Sequence, residues 1–385
     1  MSTVLKWIVR IFGVLIGLLL IVFVVAAAMP AQADPDVGEE HGAGASSVQP
    51  SYTGLQREFP PLNETAANPT TDAKAELGRL LFFDPVLSAN NDTACASSHQ
   101  PDLGFGDGRT VAIGPNGTEL ARNTPTLWNV GYAQNLFWDG RLDSLEAQSN
   151  IPLTHPDEMG VTDTAALVAE VAAIDEYEAM FNTAFDDGVT LDNIENALAA
   201  FQRTLITNNS PFDQYAAGNV DALTPSQRRG LALFRSGATR CFECHTAPTF
   251  ASDTFRVVGV PSDDPGRAGV TEEGSTGAFK VPTLRNIALT APYMHNGSLE
   301  TLEAVVDFYA DGGGRIHGQE NVDVFVQGFE LTDQERLDLV AFLYALTDES
   351  GLPEVPTAVP SGLPVIERVE NPARAEVAAH KVGGE

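Results

Sequence analysis

Five consecutive residues, Cys241-Phe242-Glu243-Cys244-His245, hold two thiols and an imidazole at a chemically distinctive spacing. Each thiol can bond one vinyl group of a porphyrin, and the adjacent histidine can then turn its ring to the iron. C-x-x-C-H therefore reads as covalent haem attachment. A disulfide closing the same small loop is the competing reading, although three cysteines leave one over. Zinc would need four ligands, and no second Cys/His pair completes such a site. Upstream stands Cys95-Ala96-Ser97-Ser98-His99, the same pattern with serine where the second thiol would be.

The elements in front of the two motifs also match. "AELGRLLFFDPVLSANNDTACASSHQ" and "QRRGLALFRSGATRCFECHTAP" share Gly, Leu, Phe, a short loop, then Cys-x-x-(Ser/Cys)-His, so His99 stands where His245 stands. A coincidental Cys and His would not also reproduce the preceding helix. The first helix is predicted over "TDAKAELGRLLFFDP", with Leu77, Leu80, Leu81 and Phe82 on one side and Pro85 as its stop. "TDTAALVAEVAAI", "EYEAMFNTAF" and "LDNIENALAAFQRTLI" are helical by period, and loops dense in Gly, Asn, Asp and Pro fill residues 88–129. A second unit starts at Thr224, a good N-cap with Pro225 at the first helical position, and "LTDQERLDLVAFLYALT" closes it. The predicted fold is mainly α: two cytochrome c-like haem domains with long loops, at 59–223 and 224–350. Residues 351–385 form a Pro-rich tail without a core signature, and 34–58 a flexible linker.

Ahead of the linker, Lys6 and Arg10 precede an apolar run from Ile11 to Ala28, and Ala31-Gln32-Ala33 offers a cleavage site. Residues 1–33 are thus an export signal or, since the run nearly spans a bilayer, an uncleaved membrane anchor through residues 11–28. Both readings put the globular part outside the cytoplasm, in the periplasm. The 385 residues carry 22 basic against 52 acidic side chains, a formal charge of −30. That surface repels nucleic acid and anionic lipid; it favours small basic partners, or serves solubility in salty surroundings.

Seven ordered segments resemble the bacterial di-haem cytochrome c peroxidase family, which includes the MauG-type enzymes, over roughly residues 60–350. They are "LFFDPVLSANNDTACASSHQPDLGFGDGR", "RNTPTLWNVGY", "FWDGR", "PLTHPDEMG", "CFECH", "FKVPTLRNIALTAPYMHNGSLETLEAVVDFY" and "LTDQERLDLVAFLYAL". The resemblance implies two c-type haems. At the first, peroxidatic haem, His99 is the proximal iron ligand and Cys95 an anchor. A Ser98 hydroxyl is too poor a nucleophile to replace a thiol, so this haem would hang from a single thioether. Glu158 matches the acid–base carboxyl over the open iron face, with Gln148 and Pro152 beside it. Members that need reductive activation carry a distal histidine in the loop before Asn123, and none stands there.

The same resemblance makes Trp138 the indole that relays electrons between the haems, and Asn123, Thr290 and Pro292 the calcium site between them. Cys241, Cys244 and His245 hold the second haem, whose sixth ligand falls on Tyr309; a phenolate lowers an iron's reduction potential where a methionine raises it. His295 is expected as a neighbour of haem, and His155 and His317 as surface residues. The implied function is reduction of hydrogen peroxide with electrons from a small cytochrome c or copper protein. Tyr309 and the missing distal histidine also favour a MauG-like oxidase that modifies aromatic side chains of a partner protein. Ser98 alone supports a non-enzymatic electron-transfer protein.

Overall fold

A glycine sets the closest helix contact in each half of the chain. The computed structural model describes residue 55 and residues 58–382; the signal or anchor at 1–33 and nearly all of the 34–58 linker lie outside the described residues. Helix α1 (Asp72–Phe83) starts where Lys74 N–H donates to the Thr71 side chain, and Pro85 ends it. After the single turn α2 (Cys95–Ser98) come α3 (Leu145–Thr154), α4 (Thr164–Ala172), α5 (Asp175–Ala184) and α6 (Leu191–Thr204). Helix α6 crosses α1 so closely that a Cβ at Gly78 would sit 1.9 Å from the Ala197 carbonyl oxygen. Leu77, Leu81, Phe82, Phe105, Trp128, Ile194 and Phe201 form the core around this crossing.

The second half repeats the crossing. After the short α7 (Pro211–Ala216), helix α8 (Pro225–Phe234) is capped at Thr224 with a capping box. A two-stranded antiparallel sheet, β1 (Ser252–Arg256) with β2 (Phe279–Val281), is the one sheet among the described residues. Helices α9 (Leu302–Ala310) and α10 (Asp333–Tyr344) follow, and a Cβ at Gly230 of α8 would lie 1.9 Å from the Asp338 carbonyl oxygen of α10. Phe212, Phe234, Phe250 and Phe342 pack around that crossing, edge to face except for the tilted Phe234–Phe342 pair. The protein is mainly helical, as predicted, and both halves lie in the single compact unit Gly54–Glu385. No helix among the described residues is long and apolar enough to cross a membrane.

The Pro-rich tail departs from the expectation of a segment without a core. Val359 is buried in the first half's core, Leu352, Val355, Leu363 and Val365 pack on it, and the chain ends in α11 (Ala373–Val382). Leu352, Val355, Val359 and Leu363 keep a helical spacing, but a proline follows each and forbids a helix, so patterning assigned no element here. Polar anchors fix the strap: the Ser361 hydroxyl donates to Asp84, the Asn371 amide to the carbonyls of Asp102 and Leu289, and Tyr344 stacks on His380 at 3.9 Å. Asp102, three residues after His99, is paired with Arg368 and Arg374. Burial opposes its ionisation, but the two guanidinium groups outweigh that and hold its carboxyl below the usual range. Removing both (Arg368→Ala with Arg374→Ala) costs about 2 kcal/mol in urea unfolding, less than a fully enclosed pair because Arg368 is half in solvent. That stability is present above the unfolded carboxyl's pKa and disappears as pH falls through the lowered folded value.

Candidate haem cavity

The two attachment motifs fold alike. His99 N–H and His245 N–H each donate back to the carbonyl of the first cysteine, of Cys95 and Cys241, at 3.0 Å. Phe105 and Phe250 both take left-handed backbone angles, φ 61° and 52°, which aim their carbonyls at the imidazoles. Nδ1 of His99 lies 2.8 Å from the Phe105 oxygen, and Nδ1 of His245 3.0 Å from that of Phe250. A carbonyl only accepts, so Nδ1 carries the proton and Nε2 keeps its lone pair. Burial pushes both imidazoles below their ordinary pKa, against the opposing pull of those carbonyls. A neutral ring oriented through Nδ1 is the state in which histidine ligates a metal.

One cavity of about 1140 Å³ runs from His99 to His245. It exceeds the roughly 300–1,000 Å³ of a site for one drug-sized ligand. The residues expected at the site come together on its wall: Glu158, Gln148, Trp138, Asn123, Thr290, Pro292, Cys241, Cys244 and Tyr309, with Ser98 and Pro152. Cys95 does not line it; its side chain packs against the core of the first half. The three cysteines are free thiols, so no disulfide closes the Cys241–Cys244 loop, and burial pushes Cys95 up to about 12 and Cys241 to about 11. These residues fit haem: two neutral imidazoles with lone pairs to spare, thiols beside them, and one space large enough for paired planar groups. His295 also lines this space, and its buried Nε2 has no hydrogen-bond partner.

The internal repeat extends well past the motifs. Pro125 and Pro282, Asn129 and Asn286, Trp138 and His295, and Gly140 and Gly297 are each separated by 157 positions. Asn129 and Asn286 share left-handed backbones, as do Phe137 and Met294, and the bridges Leu136–Leu142 and Tyr293–Leu299 correspond. At the same offset α3 corresponds to α9, and Pro152 to Tyr309. In one half, then, this helix presents to the cavity a phenol, which burial keeps protonated well above its ordinary range. In the other half it presents a proline ring with no donor atom.

Glu158 sits in the turn that leaves α3, its N–H donating to the His155 carbonyl at 3.0 Å. Burial raises its carboxyl pKa, while His155 and Arg141 pull it back down. Trp138 joins the halves: its indole N–H donates to the Asn123 carbonyl at 2.9 Å, and its own carbonyl accepts from Lys280 N–H at 2.8 Å. Its ring meets Phe279 edge-on at 6.5 Å, and Phe279 stacks on His295 at 3.9 Å. The Asn123 amide donates to the Arg109 carbonyl, which leaves its oxygen for another partner, and Thr290 and Pro292 line the same space.

His155, expected at the surface, keeps 41% of its side chain accessible and also lines the cavity, 3.7 Å from Glu158. His317 is exposed, as expected. Lys280 was missed. It lines the cavity, with burial lowering its amine's pKa against the pull of Asp253. A lysine between two apolar residues of a quoted motif, "FKV", was the available signal.

Comparison with known proteins agrees with this geometry. A family model described as di-haem cytochrome c peroxidase matches residues 72–221. Over 299 residues the chain is 40% identical to the methylamine utilization protein MauG of Methylorubrum extorquens, covering 75% of this chain and 83% of that one. It is 36% identical over 304 residues to the cytochrome c551 peroxidase of Nitrosomonas europaea, covering 77% and 86%. Among solved structures, a MauG-like protein associated with microbial copper homeostasis superposes with a TM-score of 0.73 at 33% identity, over 79% of this chain and 99% of that one. The diheme peroxidase BthA from Burkholderia thailandensis gives a TM-score of 0.64 at 26% identity, over 82% and 96%.

Proposed function

Because the chain belongs to the di-haem cytochrome c peroxidase family, and is a peroxide-acting haem oxidoreductase, we propose that it reduces hydrogen peroxide in the half that carries His99, with electrons delivered through the half that carries His245. In this reading residues 59–223 and 224–350 each hold one haem, through His99 with Cys95 and through His245 with Cys241 and Cys244. Haem, when bound, supplies the redox-active iron. The chain's own residues do the rest. Glu158 takes the proton from the near oxygen of peroxide and returns it to the far one, which lets the O–O bond break heterolytically. Gln148 and Pro152 shape the space beside it, and Pro152 offers no atom that competes with peroxide for iron. Trp138 bridges the halves as an electron relay, and Asn123, Thr290 and Pro292 hold a calcium ion near it. The chain acts outside the cytoplasm. One observation carries the reading: a single cavity joins two neutral, carbonyl-oriented imidazoles, with an acid of raised pKa in the first half and, where α9 carries Tyr309, a proline without a donor atom on α3.

Two electron partners remain in view. A small basic cytochrome or copper protein suits the acidic surface. Tyr309 supports the other, a MauG-like oxidation of aromatic side chains on a partner protein, because an oxygen donor sets a low potential for the second haem. Steady-state peroxide reduction with a reduced small cytochrome separates them: rapid turnover supports the first, and a spectral response to peroxide without turnover supports the second. Tyr309→Met raises the midpoint potential of the second haem in a redox titration, by about 100 mV or more, and speeds electron entry from such a cytochrome. An unchanged potential would remove Tyr309 from the iron.

A further inference from the structure

The stoichiometry of the reaction asks for something Glu158 cannot give. Each peroxide reduced to two waters takes up two electrons and two protons. Glu158 only moves a proton from one peroxide oxygen to the other and ends as it began. The electrons come from the donor protein; both protons must come from solvent through the wall of the cavity.

We propose that His155 is their port of entry, a proton-relay residue for Glu158; this rests on the acid–base reading of Glu158. His155 ends α3, lines the cavity, and keeps 41% of its side chain accessible. Its Nδ1 lies 3.7 Å from Oε1 of Glu158. Asp157 N–H donates to the same Nδ1 at 3.3 Å. An N–H only donates, so this nitrogen carries the lone pair and the neutral ring holds its proton on Nε2. Nδ1 takes a proton from water; the Nδ1–H bond then breaks as an O–H bond forms on the Glu158 carboxylate, and the ring is restored to the same tautomer. The charged groups around the pair are Asp157 on the same turn and Arg141 from the loop after Trp138. The stretch packed against this turn, at Gly114, runs Ala112-Ile113-Gly114-Pro115 and adds no charge. Arg141 and a protonated His155 both favour ionised Glu158, which keeps the carboxylate ready to receive.

The test compares His155→Ala, His155→Gln and Glu158→Gln as di-haem proteins with intact spectra. The first encounter with peroxide needs no outside proton, but completing the cycle does. Both His155 variants should therefore lower kcat about tenfold above neutral pH while kcat/KM for peroxide changes less than about twofold. A sterically hindered pyridine base, too bulky to ligate iron, should restore kcat in His155→Ala. Independently of turnover, infrared titration of the Glu158 carboxyl should move to higher pH in His155→Ala, because a positive neighbour is gone. Unchanged kcat in both variants, or a loss that the base does not restore, would overturn the relay. If Glu158→Gln also keeps full activity, the acid–base reading itself fails; if Glu158→Gln is slow and the His155 variants are fast, only the relay does.

Discussion

Glu158→Gln lowers kcat/KM for hydrogen peroxide by about 10²- to 10⁴-fold and leaves haem content unchanged. The amide keeps the size and one acceptor of the carboxyl, so packing in the turn after α3 is undisturbed. What it loses is the ability to hold and return a proton. The side chain lines the cavity and makes no hydrogen bond that fixes the fold, its nearest partner being His155 at 3.7 Å. A purely structural role would instead show as lost haem or a lowered melting temperature. The pH profile gives a second handle. Glu158 must begin as the carboxylate, and burial raises its pKa against the opposing influence of His155 and Arg141. The rate therefore falls as pH drops through a value above the ordinary carboxyl range, and Glu158→Gln abolishes that acid limb.

The second large effect comes from the repeat. Pro152→Tyr places on α3 the phenol that Tyr309 places on α9, 157 positions further on. Helical geometry should accept the change, since proline lies inside α3 and tyrosine restores a backbone N–H there. The expected product binds haem at His99 with both faces of the iron filled, seen as a six-coordinate low-spin ferric spectrum at that site. Its reaction with peroxide falls at least about a hundredfold, as loss of a principal catalytic element does. A five-coordinate spectrum with normal peroxide reactivity would mean that α3 and α9 do not present equivalent positions to their haems.

Much of this was legible because it is local. Thr71, Thr190, Thr224 and Thr332 cap helices where the sequence pattern places their starts, and each accepts from the backbone N–H three residues on. Gly78 and Gly230 stood in the two matching stretches, and the structure gives their reason: each lets one helix backbone touch another. The contacts that escaped notice join residues far apart in the chain. Asp84 meets Ser361, and Asp102 meets Arg368, through a strap whose prolines forbid the helix that its apolar spacing would otherwise suggest. His155 looked like an ordinary loop histidine because nothing in its neighbours tells which way the turn faces. The cavity is walled largely by loops, whose path is set by carbonyl placement at Phe105 and Phe250 and not by hydrophobic patterning. Resemblance to a family supplied roles for Trp138 and Tyr309 that composition alone could not.

The central claim is that one continuous cavity serves two haems, the first held by His99 with a single thiol. Intact mass of the purified chain, combined with a pyridine haemochrome assay, tests it most directly. Two haems per polypeptide are expected, one bonded through Cys95 alone and one through Cys241 and Cys244. A single haem per polypeptide, carried only by the second motif, would contradict it.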